Sequence, residues 1–208
     1  MHDLSAAGLN VSRETIQRLE TYSAQLVRWS EKINLIAPAP EATVWLRHIV
    51  DSAQLFDLRH PGSNWCDLGS GGGLPAMVIA IIAQERATNL RFHLVESDSR
   101  KAAFLRIMAA ELSLNVNVYQ ARAEALPSLQ SDTVSARALA SLDKLLGYVH
   151  RHLHPSGVAL LPKGRNHQAE INAARKIWSF DLDLVESVAD QGAKILCVSQ
   201  IQRNVGSV

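Results

Sequence analysis

Asp67-Leu68-Gly69-Ser70-Gly71-Gly72-Gly73-Leu74-Pro75 is the stretch whose reading decides the fold. It follows Asn64–Leu68, a short apolar run that reads as a buried strand, and it opens Leu74–Gln84, a helix with few polar positions. Glycines at a strand-to-helix turn permit positive φ and let a ligand approach the backbone with no Cβ in the way. Gly69, Gly71 and Gly73 have GxGxG spacing. The dinucleotide fingerprint is GxGxxG, and its third glycine would fall where this chain has Leu74. Pro75 suits the first helical turn.

Working outward, Leu90–Val95 reads as the next strand, and Glu96 stands at its end. A carboxylate there accepts hydrogen bonds from ribose hydroxyls in doubly wound nucleotide binders, whose ligands lie at the carboxyl ends of the strands. Asp67, directly before the loop, narrows the ligand. A carboxylate repels a pyrophosphate and attracts an amino group. S-adenosylmethionine carries an ammonium and a sulfonium and no phosphate, so Asp67 with GxGxG favours it over NAD or FAD.

Beyond Glu96 the chain keeps alternating. Ser99–Leu112 carries Phe104, Ile107, Met108 and Leu112 on one face at helical spacing, which predicts a helix. Val116–Tyr119, Thr133–Ala136 and Gly157–Leu161 are strand candidates, separated in part by helices over Ala140–His152 and His167–Trp178. Leu182–Val188 and Lys194–Gln200 follow with no long helix between them, which predicts an antiparallel hairpin. The pattern predicts an α/β fold with a mostly parallel seven-stranded sheet covered on both faces.

The first third is helical instead. Ser12 can cap a helix whose Leu19, Tyr22, Leu26, Trp29 and Ile33 form one face, with Asn34 as its stop. A second helix is expected over Glu41–Leu58, burying Val44, Ile49, Ala53 and Phe56. Pro61-Gly62-Ser63 is a break. The boundary is therefore placed to give an N-terminal helical region, residues 1–60, and an α/β domain, residues 61–208.

Composition bounds the partners. The 208 residues are 47% hydrophobic and 20% charged, with a net charge of +1, the balance of a soluble globular protein. The longest apolar runs, such as Met77–Ala83, are too short to span a bilayer, and the first residues lack the pattern of a signal peptide. Two cysteines, Cys66 and Cys197, make no disulfide framework and no CxxC, which predicts a reducing cytoplasm. The small net charge weighs against broad nucleic-acid binding but leaves room for a local patch. Lys163, Arg165, Arg175 and Lys176 against Glu170 make such a cluster. No metal is expected: His150, His152 and His154 lie at a helix end without nearby cysteine, where histidine suits the helix dipole.

Further words then accumulate in order: Asn34-Leu35, Arg47-His48-Ile49-Val50-Asp51-Ser52, the glycine loop, Arg100-Lys101 with Phe104-Leu105-Arg106, Arg122-Ala123-Glu124, Arg137-Ala138-Leu139-Ala140-Ser141-Leu142 and Lys163-Gly164. With these the chain resembles the glucose-inhibited division protein B (RsmG) family, bacterial enzymes that methylate a guanine N7 of 16S ribosomal RNA. The resemblance runs from about Asn34 to Lys194. It implies a class I, Rossmann-like methyltransferase using S-adenosylmethionine, with 16S RNA or the small ribosomal subunit as partner. No membrane is expected from the short apolar runs, and a monomer is the default because nothing in the sequence demands a dimer.

The resemblance also implies roles. Asp67, Gly69, Gly71, Gly73 and Leu74 would hold the methionine end, Glu96 the ribose, and Ala123 with Glu124 the adenine. Arg137 would stand at the mouth shared by cofactor and substrate. Arg122 and Lys163, with Arg165 and Lys194, would meet the RNA, and Arg137, Arg122 and Lys163 are the catalytic candidates. Two positions depart from the family pattern: Ala76 stands where glycine is frequent, and Lys194 where an arginine is expected, which loses a bidentate contact there. His48 and Asp51, three apart on one helix face, read either as a buried polar link between the two regions or as a contact with the substrate mouth. The competing readings are a small-molecule methyltransferase on the same fold, a cofactor-sensing RNA-binding module without catalysis, and, more distantly, a dinucleotide oxidoreductase.

Overall fold

The computed structural model describes residues 2–60 and 62–204. Pro61 of the expected break and residues 205–208 of the expected second domain lie outside the described residues. Seven strands form one sheet: β1 (Asn64–Leu68), β2 (Arg91–Val95), β3 (Val116–Tyr119), β4 (Ser131–Ser135), β5 (Leu153–Lys163), β6 (Trp178–Glu186) and β7 (Lys194–Arg203). Their spatial order is β3-β2-β1-β4-β5-β7-β6. The first five are parallel, and β7 runs antiparallel to both of its neighbours. The expected hairpin is present, with β7 inserted between β5 and β6. The order reverses between β1 and β4, so their carboxyl ends open the crevice where such sheets bind ligands.

The N-terminal helix α1 (Arg13–Ile33) starts where Ser12 accepts a hydrogen bond from the Thr15 N–H and stops at Asn34 in the left-handed conformation. The second helix is not continuous. It divides into α2 (Glu41–Val44), a π-helical turn (Trp45–Val50), α3 (Asp51–Ala53) and a 3-10 turn (Phe56–Leu58). A π-turn holds more residues than an α-turn. Here Trp45, Ile49 and Val50 are buried in the core while Arg47, His48 and Asp51 border a cleft.

Helix α4 (Ala76–Arg86) is buried over its first eight residues, as its apolar run predicts. The helix expected over Ser99–Leu112 is α5 (Ser99–Glu111), in which Phe104 and Met108 are buried while Ile107 is 45% exposed. Helix α6 spans Leu142–His152 and α7 spans His167–Ala174. The latter ends before the expected Trp178, because Trp178, Phe180 and Leu182 alternate at strand period and β6 already begins at Trp178.

Two apolar layers cover the sheet. One joins α4 and α5 to Leu4, Leu19, Tyr22, Leu26, Trp45 and Ile49 of the N-terminal region. The other joins α6 and α7 to β4, β5 and β7. Each buried Leu, Ile or Phe contributes about 1.5–3 kcal/mol. The N-terminal helices are thus pressed against one sheet face by shared core, and that brings Tyr22 and His48 to the crevice.

Candidate active site

The glycine turn at the end of β1 has φ of 67° at Gly69, 55° at Gly71 and 89° at Gly73, conformations that side-chain-bearing residues rarely adopt. Two side-chain hydrogen bonds brace it from outside, beside the bonds that the Gly69 and Ser70 N–H groups donate to the Val95 carbonyl. Glu96 accepts from the Gly71 N–H at 2.8 Å through Oε2 and from the Asp98 N–H at 2.7 Å through Oε1. Tyr22, buried on α1, donates its hydroxyl to the Gly72 carbonyl at 2.5 Å. Burial drives the Tyr22 phenol far above its usual range, so it stays a donor.

Asp67 lies beneath the turn, 1% exposed. Its Oδ1 accepts from Ser135 Oγ at 2.5 Å, and Ser135 accepts in turn from Trp65 Nε1 at 2.8 Å. Its Oδ2 has no partner among the described residues. Burial raises the Asp67 pKa to about 7, against the lowering effects of Ser135 and of the nearby Arg137 charge.

Three cavities meet around the segment Arg137–Ala140. One, of about 310 Å³, is bordered by Gly69, Gly71, Gly72, Leu74, Glu96, Lys101 and Arg137. A second, of about 180 Å³, is bordered by Gly69, Ser97, Arg122, Ala123, Glu124 and Tyr148. Leu139 borders both and lies over Gly69, where an added Cβ would come within 2.6 Å of Leu139 Cδ1. The third and widest, of about 540 Å³, is a mouth bordered by Arg47, His48, Asp51, Arg137, Lys163 and Lys194. Arg137 borders the first and third, so the position expected to serve both cofactor and substrate does touch both cavities.

The basic residues are distributed unevenly. Arg137 Nη1 donates to His48 Nδ1 at 3.3 Å. Burial, then the Arg137 charge, pushes the His48 pKa down to about 4, which keeps the ring neutral and able to accept. Lys163, with a side chain only 9% exposed, donates to the Ala140 carbonyl at 3.0 Å and to Glu170 at 2.8 Å. It fastens the segment over the glycine turn rather than standing free in solvent. Lys194 pairs with Glu186, and Arg165, itself outside the mouth lining, meets Asp190 of the lining at 3.4 Å. Arg122 borders the second cavity, away from Arg137 and Lys163.

His48 and Asp51 combine both readings the sequence left open. Asp51 Oδ1 accepts from Ser187 at 2.8 Å and from Gln54 at 2.7 Å, and Gln54 accepts from the Val188 N–H, so this helix is fastened to the β6–β7 loop. Burial raises the Asp51 pKa, with Ser187, Arg137 and Gln54 opposing. Both residues also border the mouth. Arg47 borders it too, a residue for which the sequence carries no signal beyond its place in the Arg47-His48 word. His152 donates through Nε2 to the Ala123 carbonyl, and His154 pairs with Ser156. Among the described residues no group of three or more His, Cys, Asp or Glu could hold a metal ion, and no helix is long and apolar enough to cross a membrane.

Comparison with known proteins adds sequence relatives. The family model described as "rRNA small subunit methyltransferase G" matches residues 15–199. A "Ribosomal RNA small subunit methyltransferase G" of Cereibacter sphaeroides is 52% identical over 92% of this chain and 92% of its own length. One from Ruegeria sp. is 47% identical over 94% and 95%. Among solved structures, a SAM dependent methyltransferase from Aquifex aeolicus superposes with a TM-score of 0.57 at 14% identity, covering 74% of this chain and 92% of the other. M. jannaschii TYW2 in complex with AdoMet superposes with a TM-score of 0.55 at 13% identity, covering 76% of each chain. The structural likeness is one of fold: a class I methyltransferase sheet with an appended helical region.

Proposed function

This chain belongs to the rRNA small subunit methyltransferase G family, and from that premise we propose that it transfers a methyl group from S-adenosylmethionine to N7 of a specific guanine of 16S ribosomal RNA. The observation that carries the reading is the glycine turn over Asp67: Gly69 and Gly71, both at positive φ, border a polar cavity, and beneath the turn lies a buried carboxylate with one oxygen unpartnered among the described residues. A buried unpaired carboxylate oxygen calls for a cation or a donor, and the ammonium end of S-adenosylmethionine provides both. The donor set therefore fits the cofactor.

When bound, the cofactor supplies an electrophilic methyl group, whose bond to sulfur breaks as the N7 lone pair takes it. Guanine N7 exposes that lone pair and carries no proton at neutral pH, so no general base is required and positioning supplies most of the catalysis. In this reading Asp67, the backbone of Gly69, Gly71 and Gly73, and Leu74 hold the methionine end. Glu96 keeps lone pairs for the ribose while it braces the turn, and Ala123 with Glu124 borders the adenine. Arg137 reaches the base from the mouth, where a guanidinium can grip guanine O6 or phosphate. Lys163 acts by holding Ala140, Lys194 meets the RNA at the mouth, Arg122 meets it beside the adenine cavity, and Arg165 meets it further out. The base must be unstacked to enter.

The division at residues 60/61 is part of the same proposal: the helical region (1–60) braces the methyltransferase domain (61–208) through Tyr22, Asp51 and Gln54. So are a monomeric state and a reducing cytoplasm, consistent with the unpaired Cys66 and Cys197. A small-molecule methyltransferase would call for a closed apolar pocket; the mouth is instead lined by Arg47, Arg137, Lys163 and Lys194 against Asp51, Glu170 and Asp190, a slight positive excess that favours an anionic substrate.

The test is incubation with labelled S-adenosylmethionine and small ribosomal subunits from cells lacking the endogenous enzyme, followed by mapping of the modified nucleotide. Label at one guanine N7 is the expected result. Turnover only on small molecules, or cofactor binding without any product, would overturn it. Arg137→Ala with unchanged transfer would remove that residue from the mechanism.

A further inference from the structure

The cations around the mouth are not equivalent. Lys163 is engaged by Glu170 and Ala140, Lys194 by Glu186, and Arg165 by Asp190. Each of these charges is met by a carboxylate of the same chain. Arg137 is held by the neutral ring of His48. Arg47 alone among the arginines and lysines bordering the mouth makes no ion pair and no side-chain hydrogen bond among the described residues, and it is exposed.

Its backbone is nevertheless firmly placed. Arg47 belongs to the π-helical turn whose Trp45, Ile49 and Val50 are buried. The next residues, Asp51 and Gln54, are bonded to Ser187 and to the Val188 N–H of the facing loop. A free guanidinium on a fixed turn, beside the cavity that Arg137 also borders, has the character of a phosphate contact.

We propose that Arg47 is a substrate-positioning residue that takes a phosphate oxygen of the RNA strand next to the guanine entering the mouth. This rests on the RNA-methylating reading above. Division of labour follows from the cavities. Arg137 borders both the cofactor cleft and the mouth and so reaches the base; Arg47 borders only the mouth and so reaches the backbone. Backbone contacts fix register without reading sequence, and an unstacked nucleotide leaves its flanking phosphates to be held by the protein.

The experiment measures steady-state methylation of hypomethylated small subunits at several salt concentrations for the wild type, Arg47→Ala, Arg47→Lys and a distant charge control, Arg91→Ala, at the opposite end of β2. Arg47→Ala is expected to raise KM for the subunit about tenfold and to lower the slope of log KM against log salt by about one. Its kcat should stay within about twofold of wild type, since the lost contact is equal in ground and transition states. Cofactor affinity by calorimetry should be unchanged. Arg47→Lys should keep the slope and lose part of the affinity. Arg91→Ala should match the wild type throughout. Wild-type KM and slope for Arg47→Ala, with normal thermal unfolding, would overturn the inference while leaving the function intact. A wild-type protein that methylates no subunit would overturn both. If Arg47→Ala misfolds, Arg47→Gln makes the same comparison.

Discussion

Ser135 donates its hydroxyl to Oδ1 of Asp67 at 2.5 Å, across a β1–β4 pair in which the two residues are direct partners. That bond fixes the carboxylate and leaves Oδ2 without a partner among the described residues, beneath the glycine turn. Ser135→Ala would strand both Asp67 Oδ1 and the Trp65 Nε1–H in the core. The expected loss is about 2–4 kcal/mol in urea unfolding. The Asp67 pKa should rise further, since Ser135 lowers it; NMR titration of the Asp67 carboxyl measures this, and an unmoved pKa would refute the arrangement.

Cofactor binding should depend on pH through Asp67. Its pKa is about 7 in the folded chain against 3.8 when solvated. The folded state therefore holds an extra proton between those values, and this group's contribution to stability falls as pH rises through that window. Binding of an ammonium favours the ionised form, so affinity for S-adenosylmethionine should rise between pH 5.5 and 7, by up to about tenfold per pH unit. His48 has the opposite sign: its depressed pKa stabilises the fold as pH rises from about 4 to 6.5. Calorimetry on the wild type and Asp67→Asn separates the cofactor effect, because the variant should bind weakly with a flat profile over the same range.

Tyr22→Phe removes the only side-chain donor to the Gly72 carbonyl among the described residues. A loss of about 1–2 kcal/mol is expected in thermal or chemical unfolding. Cofactor affinity should drop with it, because the phenol braces the turn that holds the ligand. An effect on stability with no effect on affinity would limit Tyr22 to a packing role.

Gly69→Ala should be more severe at the site. A left-handed φ of 67° costs about 1–2 kcal/mol for a residue with a Cβ. The new methyl would also meet Leu139 Cδ1 at 2.6 Å. Cofactor affinity should fall by about tenfold or more, and Gly69→Ala combined with Leu139→Ala should recover the steric part but not the backbone part. Equal affinities for the single and double variants would mean that Leu139 does not constrain the turn.

Much of the architecture was legible because its signals are local. The glycine turn, the Ser12 cap and the Asn34 stop depend on a few neighbouring residues, and each stands where the sequence placed it. Some misreadings were local too. Trp178, Phe180 and Leu182 alternate, yet Trp178 also completes a helical spacing, so the spacing predicts a longer α7 and a shorter β6 than the structure has. The π-turn at Trp45–Val50 has no distinct signal in a single sequence, since its apolar residues still fit a helix approximately.

By itself the sequence determined the alternation of strands and helices, the ligand-binding turn and the carboxylates beside it, because backbone conformation at glycine and the period of apolar residues are properties of short stretches. Only the tertiary structure decided which charges are free. Lys163 finds Glu170, Lys194 finds Glu186 and Arg165 finds Asp190, while Arg47 finds no carboxylate among the described residues; Asp67 meets Ser135, and Arg137 meets His48. Charges act through space, and the separations that set their strength are created when the sheet orders its strands and the N-terminal helices close on one of its faces.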